Sequence, residues 1–246
     1  MIHPTAIVSK NAEIGNNVEI GPFSIIHDNV SIGDNSQIGA FCEIGINTDL
    51  AKEKKLIIGN NSLIRSHSTI YIGSIIGDNL TTGHYVTIRE NSILGRNIQL
   101  GNRTDVQGDC IIGDYTRTHA DVHIGKLSKI GQFCWLFSGV ILTNDPTPPS
   151  DELFGVTLED YVVVSVNCIL MPGIILRKNS VIAAGSLVNI DAPEGKLLQG
   201  NPAKVICNAD VLRLKSNLKI RAYPWYKRFF RGYPKEIVLK WQNDDF

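Results

Sequence analysis

The sequence has no net charge, 24 basic residues balancing 24 acidic ones over 246 positions. That balance excludes a general polyanion binder, which concentrates positive charge, so no nucleic-acid partner is expected. Nor does any apolar run approach the ~18 residues that would mark a bilayer span. Residues 1–6 lack a basic stretch followed by an apolar one, and Glu13 and Glu19 interrupt the next segment, so no secretory signal is expected. Cysteine is scarce: Cys42, Cys110, Cys134, Cys168 and Cys207 are odd in number and lack metal-type spacing. Neither a disulfide framework nor a zinc site is expected, and a reducing cytoplasm is the simplest setting. The two common periodicities are missing as well. Neither the 3.6-residue period of an amphipathic helix nor the alternation of a two-sheet sandwich runs through the chain.

What is there is a period of six. Blocks such as Ile14-Gly-Asn-Asn-Val-Glu and Ile32-Gly-Asp-Asn-Ser-Gln recur. The register starts at Ile2 for 8 hexads, resumes at Ile58 for 15 and restarts at Leu158 for about 6. Of these 29 first positions 27 are aliphatic, giving a continuous interior stripe broken only at Thr82 and Thr118. Position five is Ser, Thr, Ala, Val or Cys in 25 hexads, as a tight interior corner requires. Position two is Gly in 13, and glycine tolerates the positive φ that a sharp turn can demand. Cys42, Cys110, Cys134 and Cys168 all fall at position five, where they read as small buried hydrophobes.

This pattern resembles the hexapeptide-repeat acyltransferases. The resemblance covers residues 1–206 and implies a left-handed parallel β-helix in which three hexads make one triangular coil, here nearly ten coils. The breaks at 50–57 (LAKEKKLI) and 146–157 (PTPPSDELFGVT) must then leave as external loops. In that family such loops often reach a neighbouring subunit or border the active site. Residues 207–246 form a separate extension. They hold 9 basic and 4 acidic residues and 8 of the 18 aromatics, against 15 basic and 20 acidic residues in 1–206. Residues 208–220 read as a short amphipathic helix capped by Asn208. The aromatics beyond it are expected to cover the open end or flank of the solenoid. Contact with an anionic membrane surface or with a nucleotide are alternatives.

Stacking coils 18 residues apart turns the sequence into columns. Ser66, His84, Asn102, Ala120 and Ser138 share one, and His67, Tyr85, Arg103, Asp121 and Gly139 the next. His119 and His123 lie on the same face, and Thr82 and Thr118 directly precede the stretches holding His84 and His119. Local rules fail preferentially at functional sites. The segments 66–91 (SHSTIYIGSIIGDNLTTGHYVTIREN), 139–152, 168–176 and 183–206 resemble bacterial N-acetyltransferases that act on nucleotide-linked amino sugars for surface glycans. The resemblance implies an acetyl-coenzyme A cosubstrate, a homotrimer with sites between subunits, and no metal. It puts Ala184, Gly185, Pro202 and Lys204 along the coenzyme A, whose phosphates the cations Arg177, Lys178 and Lys204 can neutralise. Two departures stand out: Ile175-Leu-Arg-Lys-Asn lacks the usual glycine, and Asn144-Asp145 stand where sugar O-acetyltransferases commonly present a histidine. The second leans the reading toward amine acylation.

On chemistry, a sugar ammonium must lose a proton before it attacks a thioester, and a neutral histidine can take it. His84 is the first candidate base and His119 the second. Glu90, Asn91, Asn102, Asp121, Asn144 and Asp145 are candidates to orient the sugar or the histidine. Three rivals share the fold: a sugar O-acetyltransferase, a zinc enzyme of the gamma carbonic anhydrase type using His84, His119 and His123, and a non-enzymatic scaffold. The separations of 35 and 4 between those histidines do not stack in one column, which counts against the zinc enzyme.

Overall fold

A computed structural model describes residues 1–243; Asp244, Asp245 and Phe246, the end of the expected extension, lie outside the described residues. The chain winds into a three-sided parallel β-solenoid. Face I runs from Ile7–Val8 to Leu187–Val188 (10 strands), face II from Glu13–Ile14 to Ile175–Leu176 (9), and face III from Glu19–Ile20 to Ala203–Asn208 (11). Successive strands on a face pair 18 residues apart, as in Thr87↔Asp105, Asp105↔His123 and His123↔Ile141. The eleventh strand of face III exceeds the nearly ten coils expected. Beyond the last hexad the chain adds Lys196–Gly200, then turns back on it with the antiparallel Ala203–Asn208.

The hexad positions acquire physical meaning here. First-position aliphatics such as Ile64, Ile88, Val106 and Ile124 fill the interior without exposure. Position-five hydroxyls bridge coils: Ser24 Oγ donates to the Gly39 carbonyl at 2.6 Å and accepts from Cys42 N at 3.0 Å, so a buried polar group is satisfied twice. Thr82 and Thr118 are explained in the same way. Their Oγ1 atoms accept from Arg65 N (2.9 Å) and Gly101 N (3.0 Å), so these breaks in the stripe have structural partners of their own.

Glycine at position two is required for a different reason than expected. Apart from Gly45 (φ +93°), the position-two glycines have no positive φ, which falls instead mainly at position four, on Asn17, Phe23, Asn35, Asn61 and their equivalents. A Cβ on Gly33 would instead lie 2.6 Å from Asn60 N of the next coil. Close approach of backbones, rather than turn conformation, selects glycine there.

The two insertions end slightly before the expected points. Leu56 and Val156 are fully buried and take position five of the hexads that resume. The first loop is pinned by Asn91, whose side chain accepts from Lys54 Nζ (2.9 Å) and donates to the Leu50 carbonyl (3.1 Å). The second is turned by Asp145, which accepts from Thr147 N, Ser150 N and Ser150 Oγ, each at 3.0 Å.

Residues 208–220 are not a helix. Asn208 ends a strand without making a side-chain cap, Ala209–Val211 is a single 3-10 turn, and Arg213–Leu214 pairs antiparallel with Asn217–Arg221. Leu212 and Leu214, like Leu218 and Ile220, alternate with a period of two, which suits a hairpin. The helix, α1, comes later, at Lys235–Asn243. The extension lies on the flank of face III. Trp225, Tyr226, Tyr233 and Trp241 are buried against Tyr115, Phe133, Val163, Val181 and Leu197. The corner column switches from asparagine (Asn61, Asn79, Asn97) to aromatic where the extension lies. Tyr115, Phe133 and Tyr161 stack there with centroids 5.0 Å apart.

Burial pushes the Cys134 thiol up to about 12 and the Cys110 thiol up to about 11. A thiolate is the reactive form. In the native protein, therefore, a thiol reagent at neutral pH modifies Cys207 and spares Cys42, Cys110, Cys134 and Cys168, which react only after denaturation; counting labelled cysteines by mass checks this.

Candidate functional site

The predicted residues divide between two corners of the prism. The corner joining faces III and I carries His84, Asn102, Asp121 and His119. His84 is exposed. Its Nδ1 lies 2.8 Å from Ser66 Oγ in the preceding coil, and its backbone N–H donates to Asn102 Oδ1 at 2.9 Å in the following one. The column rule therefore delivers a histidine held from both sides. Alongside runs a groove of about 600 Å³, lined by Glu19, Gln37, Leu63, Arg65, Ser66 and His84 among others. One coil beyond Asn102, Asp121 is committed to Arg103 through two contacts of 2.5 and 2.8 Å, which hold its carboxyl below the usual range.

His119 is two coils from His84 and does not line that groove. Its face lies on Phe137 (4.6 Å, 21°), with Trp135 tilted at 6.1 Å. Although part of the ring meets solvent, desolvation on the packed face lowers its pKa. Such a group favours the fold in its neutral form. That contribution is present above the unfolded value of about 6.5 and is lost as pH falls toward the lower folded value. Lowering the pH from about 7.5 to about 5.5 should thus depress the melting temperature more in the native chain than in His119→Gln.

Glu90, Asn91, Asn144 and Asp145 stand on the other corner, between faces I and II. Glu90 is 1% exposed, its carboxylate held by Arg89 at 3.0 and 3.2 Å. A ligand cannot reach it without displacing that ion pair. Asn91 and Asp145 serve the two loops, as described above. One protomer thus does not gather these four around His84.

A pair that the sequence reading did not single out lies between the corners. His123 Nδ1 sits 3.0 Å from Asp105 Oδ2 on face I. Burial would raise the Asp105 pKa, but hydrogen bonds from His123 and Gln107 outweigh it and hold the carboxyl below its ordinary value. The signal was present: these residues are one coil apart in a single column. Since His84 and His123 have different partners and His119 is walled by rings, the three histidines do not converge. Among the described residues no group of three or more His, Cys, Asp and Glu side chains is arranged to hold a metal ion.

At the far end of the solenoid, Ala184 and Gly185 occupy the last turn of the same III–I corner. Gly185 has φ +69° and open space where a Cβ would stand. Ser186 Oγ accepts from Gly200 N at 3.2 Å, which brings the turn holding Pro202 and the exposed Lys204 beside them. Arg177 and Lys178 lie apart, on the corner between faces II and III. Glu159 accepts from Arg177 NH1 at 2.8 Å and from Lys178 N at 2.9 Å.

Two family models match the chain: bacterial transferase hexapeptide (six repeats) over residues 1–45, and the hexapeptide repeat of succinyl-transferase over residues 155–189. Both are models of hexapeptide repeats, and they match two separate parts of the repeat region. A curated relative, the 2,3,4,5-tetrahydropyridine-2,6-dicarboxylate N-acetyltransferase of Staphylococcus aureus, is 33% identical over 92 residues, covering 37% of this chain and 33% of the relative. The match therefore spans about a third of the relative's length. Among solved structures, LpxA from Acinetobacter baumannii aligns over 99% of this chain and 90% of its own, at 23% identity and TM-score 0.47. A UDP-N-acetylglucosamine acyltransferase from Bacteroides fragilis aligns over 97% and 81%, at 22% and TM-score 0.47. The fold assignment rests on this chain's own strand pairing. Among the described residues no helix is long and apolar enough to cross a membrane.

Proposed function

We propose that the protein transfers an acetyl or other short acyl group from coenzyme A to the amino group of a nucleotide-linked amino-deoxy sugar, in the cytoplasm, for surface glycan synthesis of the lipopolysaccharide type. The observation that carries this reading is His84, exposed beside an open groove and fixed by Ser66 and Asn102. A hexapeptide-repeat relative that is named an N-acetyltransferase supports it. In the reaction His84 accepts a proton from the sugar ammonium, and the freed amine attacks the thioester carbonyl. The tetrahedral intermediate collapses with cleavage of the C–S bond, and the second proton that the nitrogen sheds in becoming an amide passes to the departing sulfur, so coenzyme A leaves as the thiol. Asn102 positions His84 through its backbone.

Ala184, Gly185, Pro202 and Lys204 fit one end of the cosubstrate. The corner at Gly185 is open, and Lys204 offers a cation to a phosphate. Arg177 and Lys178 would meet it only across face III. A homotrimer is part of the proposal. Ile57, Ile75, Ile93 and Ile111 form an exposed apolar column on face II, and Phe23, Phe41, His67 and Tyr85 an exposed ring ladder along the III–I corner. Contiguous apolar surface of this kind marks interfaces, and a neighbour could supply the Asn144 corner that one protomer holds away from His84. Thiol release from acetyl-coenzyme A, screened against amino-sugar nucleotides and their hydroxyl counterparts, tests the reading. Turnover with the amines supports it, turnover only with the hydroxyl sugars moves it to O-acetylation, and no thiol release with either set removes it.

A further inference from the structure

The extension does more than cover a flank. With face III it walls a second cavity of about 280 Å³ beside His119. One part of the wall is aromatic. His119 stacks on Phe137, and Trp135 lies nearly parallel to Phe137 at 6.0 Å and 23°. Trp225 and Phe229 close the opposite side, and the buried Trp225 indole N–H lacks an acceptor among the described residues. The other part is cationic. Arg228 and Arg231 line the cavity, and neither has a carboxylate partner among the described residues. Arg228 Nε is held by the Ala222 carbonyl at 2.8 Å, and the Arg231 guanidinium lies over Phe229 at 5.6 Å.

We propose that this cavity binds a nucleoside diphosphate, its base against the His119–Phe137–Trp135 wall and its phosphates on Arg228 and Arg231. Flat rings accept the face of any base, whereas a guanidinium offers a planar fork that matches phosphate oxygens. An acyl chain would use the rings and leave two cations without anions. A free inorganic anion would leave the rings without a role. Both features together select a heteroaromatic ring that carries phosphate.

The cavity also stands in register with the groove at His84. The two histidines are two coils apart, about 9.6 Å along the solenoid axis. In the column that leads to His119 the two preceding positions are Gly83 and Gly101, while Asn102 and Arg103 stand in the neighbouring columns. A nucleotide seated at His119 can therefore extend its diphosphate-linked group toward His84. In that last step the inference rests on the nucleotide-sugar reading; the chemistry of the cavity does not. Two sources present the required group, the nucleotide of the acceptor and the adenosine bisphosphate end of coenzyme A.

The test is tryptophan fluorescence of the full-length protein titrated with UDP, dTDP, adenosine 3′,5′-bisphosphate and inorganic pyrophosphate. At least one nucleotide should quench Trp135 and Trp225 saturably, and about tenfold more tightly than pyrophosphate. Arg231→Gln, whose side chain only overlies a ring, should weaken that nucleotide by about tenfold with an unchanged melting temperature. Adding Arg228→Gln should weaken it further. Preference for UDP or dTDP assigns the cavity to the acceptor, and preference for the adenosine bisphosphate assigns it to coenzyme A. Absence of quenching by every nucleotide, equal affinity for pyrophosphate, or full affinity in Arg231→Gln overturns the proposal. Failure of the acyl-transfer reading looks different: nucleotides still quench, but no thiol is released from acetyl-coenzyme A.

Discussion

His84→Gln is expected to lower kcat/KM for acyl transfer by about 10²–10⁴-fold, the contribution of a positioned general base. Only one of the two neutral tautomers of His84 can act. In the tautomer whose Nδ1–H donates to Ser66 Oγ, 2.8 Å away, the Nε2 lone pair is left to receive the ammonium proton. The reverse tautomer would put a proton on Nε2 and disable it. Ser66, whose hydroxyl can accept from or donate to Nδ1, holds the orientation of the ring, while Asn102 fixes the backbone that carries it. Ser66→Ala should reduce the rate less than His84→Gln, because the ring keeps its chemistry and loses only its orientation. An amine presented already deprotonated needs only alignment, which can be a large effect by itself. Full activity in both His84→Gln and His119→Gln, each folded to the native melting temperature, would leave that as the mechanism and remove the base.

Much of the fold was legible because the hexad is a local rule repeated many times. An aliphatic every six residues and a small residue at each corner leave little freedom, so the strand pairs emerge by counting in eighteens. The same counting placed Ser66, His84 and Asn102 together. It would also have paired His123 with Asp105, and shown Tyr115, Phe133 and Tyr161 as an aromatic edge awaiting a cover, since all are column neighbours. Where the repeat stops, local pattern loses its authority. Leu212 and Leu214 with Leu218 and Ile220 fit a helical face loosely and a hairpin better, and nothing in the stretch states which apolar surface is available to receive them. Glycine at position two was recognised for its freedom, although its small size is what the neighbouring coil demands. Glu90 and Asp145 looked like ligands for a substrate because a sequence does not show that Arg89 and the loop backbone already occupy them.

The extension is held to the solenoid by an unusual anchor, and its removal carries the other large expected effect. Arg117 is 7% exposed and has no carboxylate partner among the described residues. Its guanidinium lies over Tyr233 at 4.2 Å and over Trp135 at 5.0 Å, and NH2 donates to the Gly232 carbonyl at 2.7 Å. Burial lowers its pKa from the ordinary arginine value, a sign of the desolvation that these contacts must offset. A charged hydrogen bond contributes about 1.5–3 kcal/mol, and a desolvated cation over a ring about 2 kcal/mol. Arg117→Met keeps the length of the side chain but removes the charge, the hydrogen bond to the Gly232 carbonyl and the contacts with the two rings. We expect it to weaken docking of the extension by about 2–4 kcal/mol while sparing the coils, whose core it does not touch. Trypsin should then cut at Lys227, Arg228 and Arg231, and the emission of Trp225 and Trp241 should shift to the red, with the main solenoid melting transition retained. Gly232→Ala offers an independent route to the same state. Its φ is +79°, and a Cβ there would lie 2.9 Å from Arg117 NH2, so the methyl group displaces the cation without altering it. If the extension stays protected from trypsin in both variants, the aromatic cluster of Trp225, Tyr226, Tyr233 and Trp241 holds it alone and Arg117 is not the anchor. If the solenoid itself melts early in both, the extension and the coils are one cooperative unit rather than two.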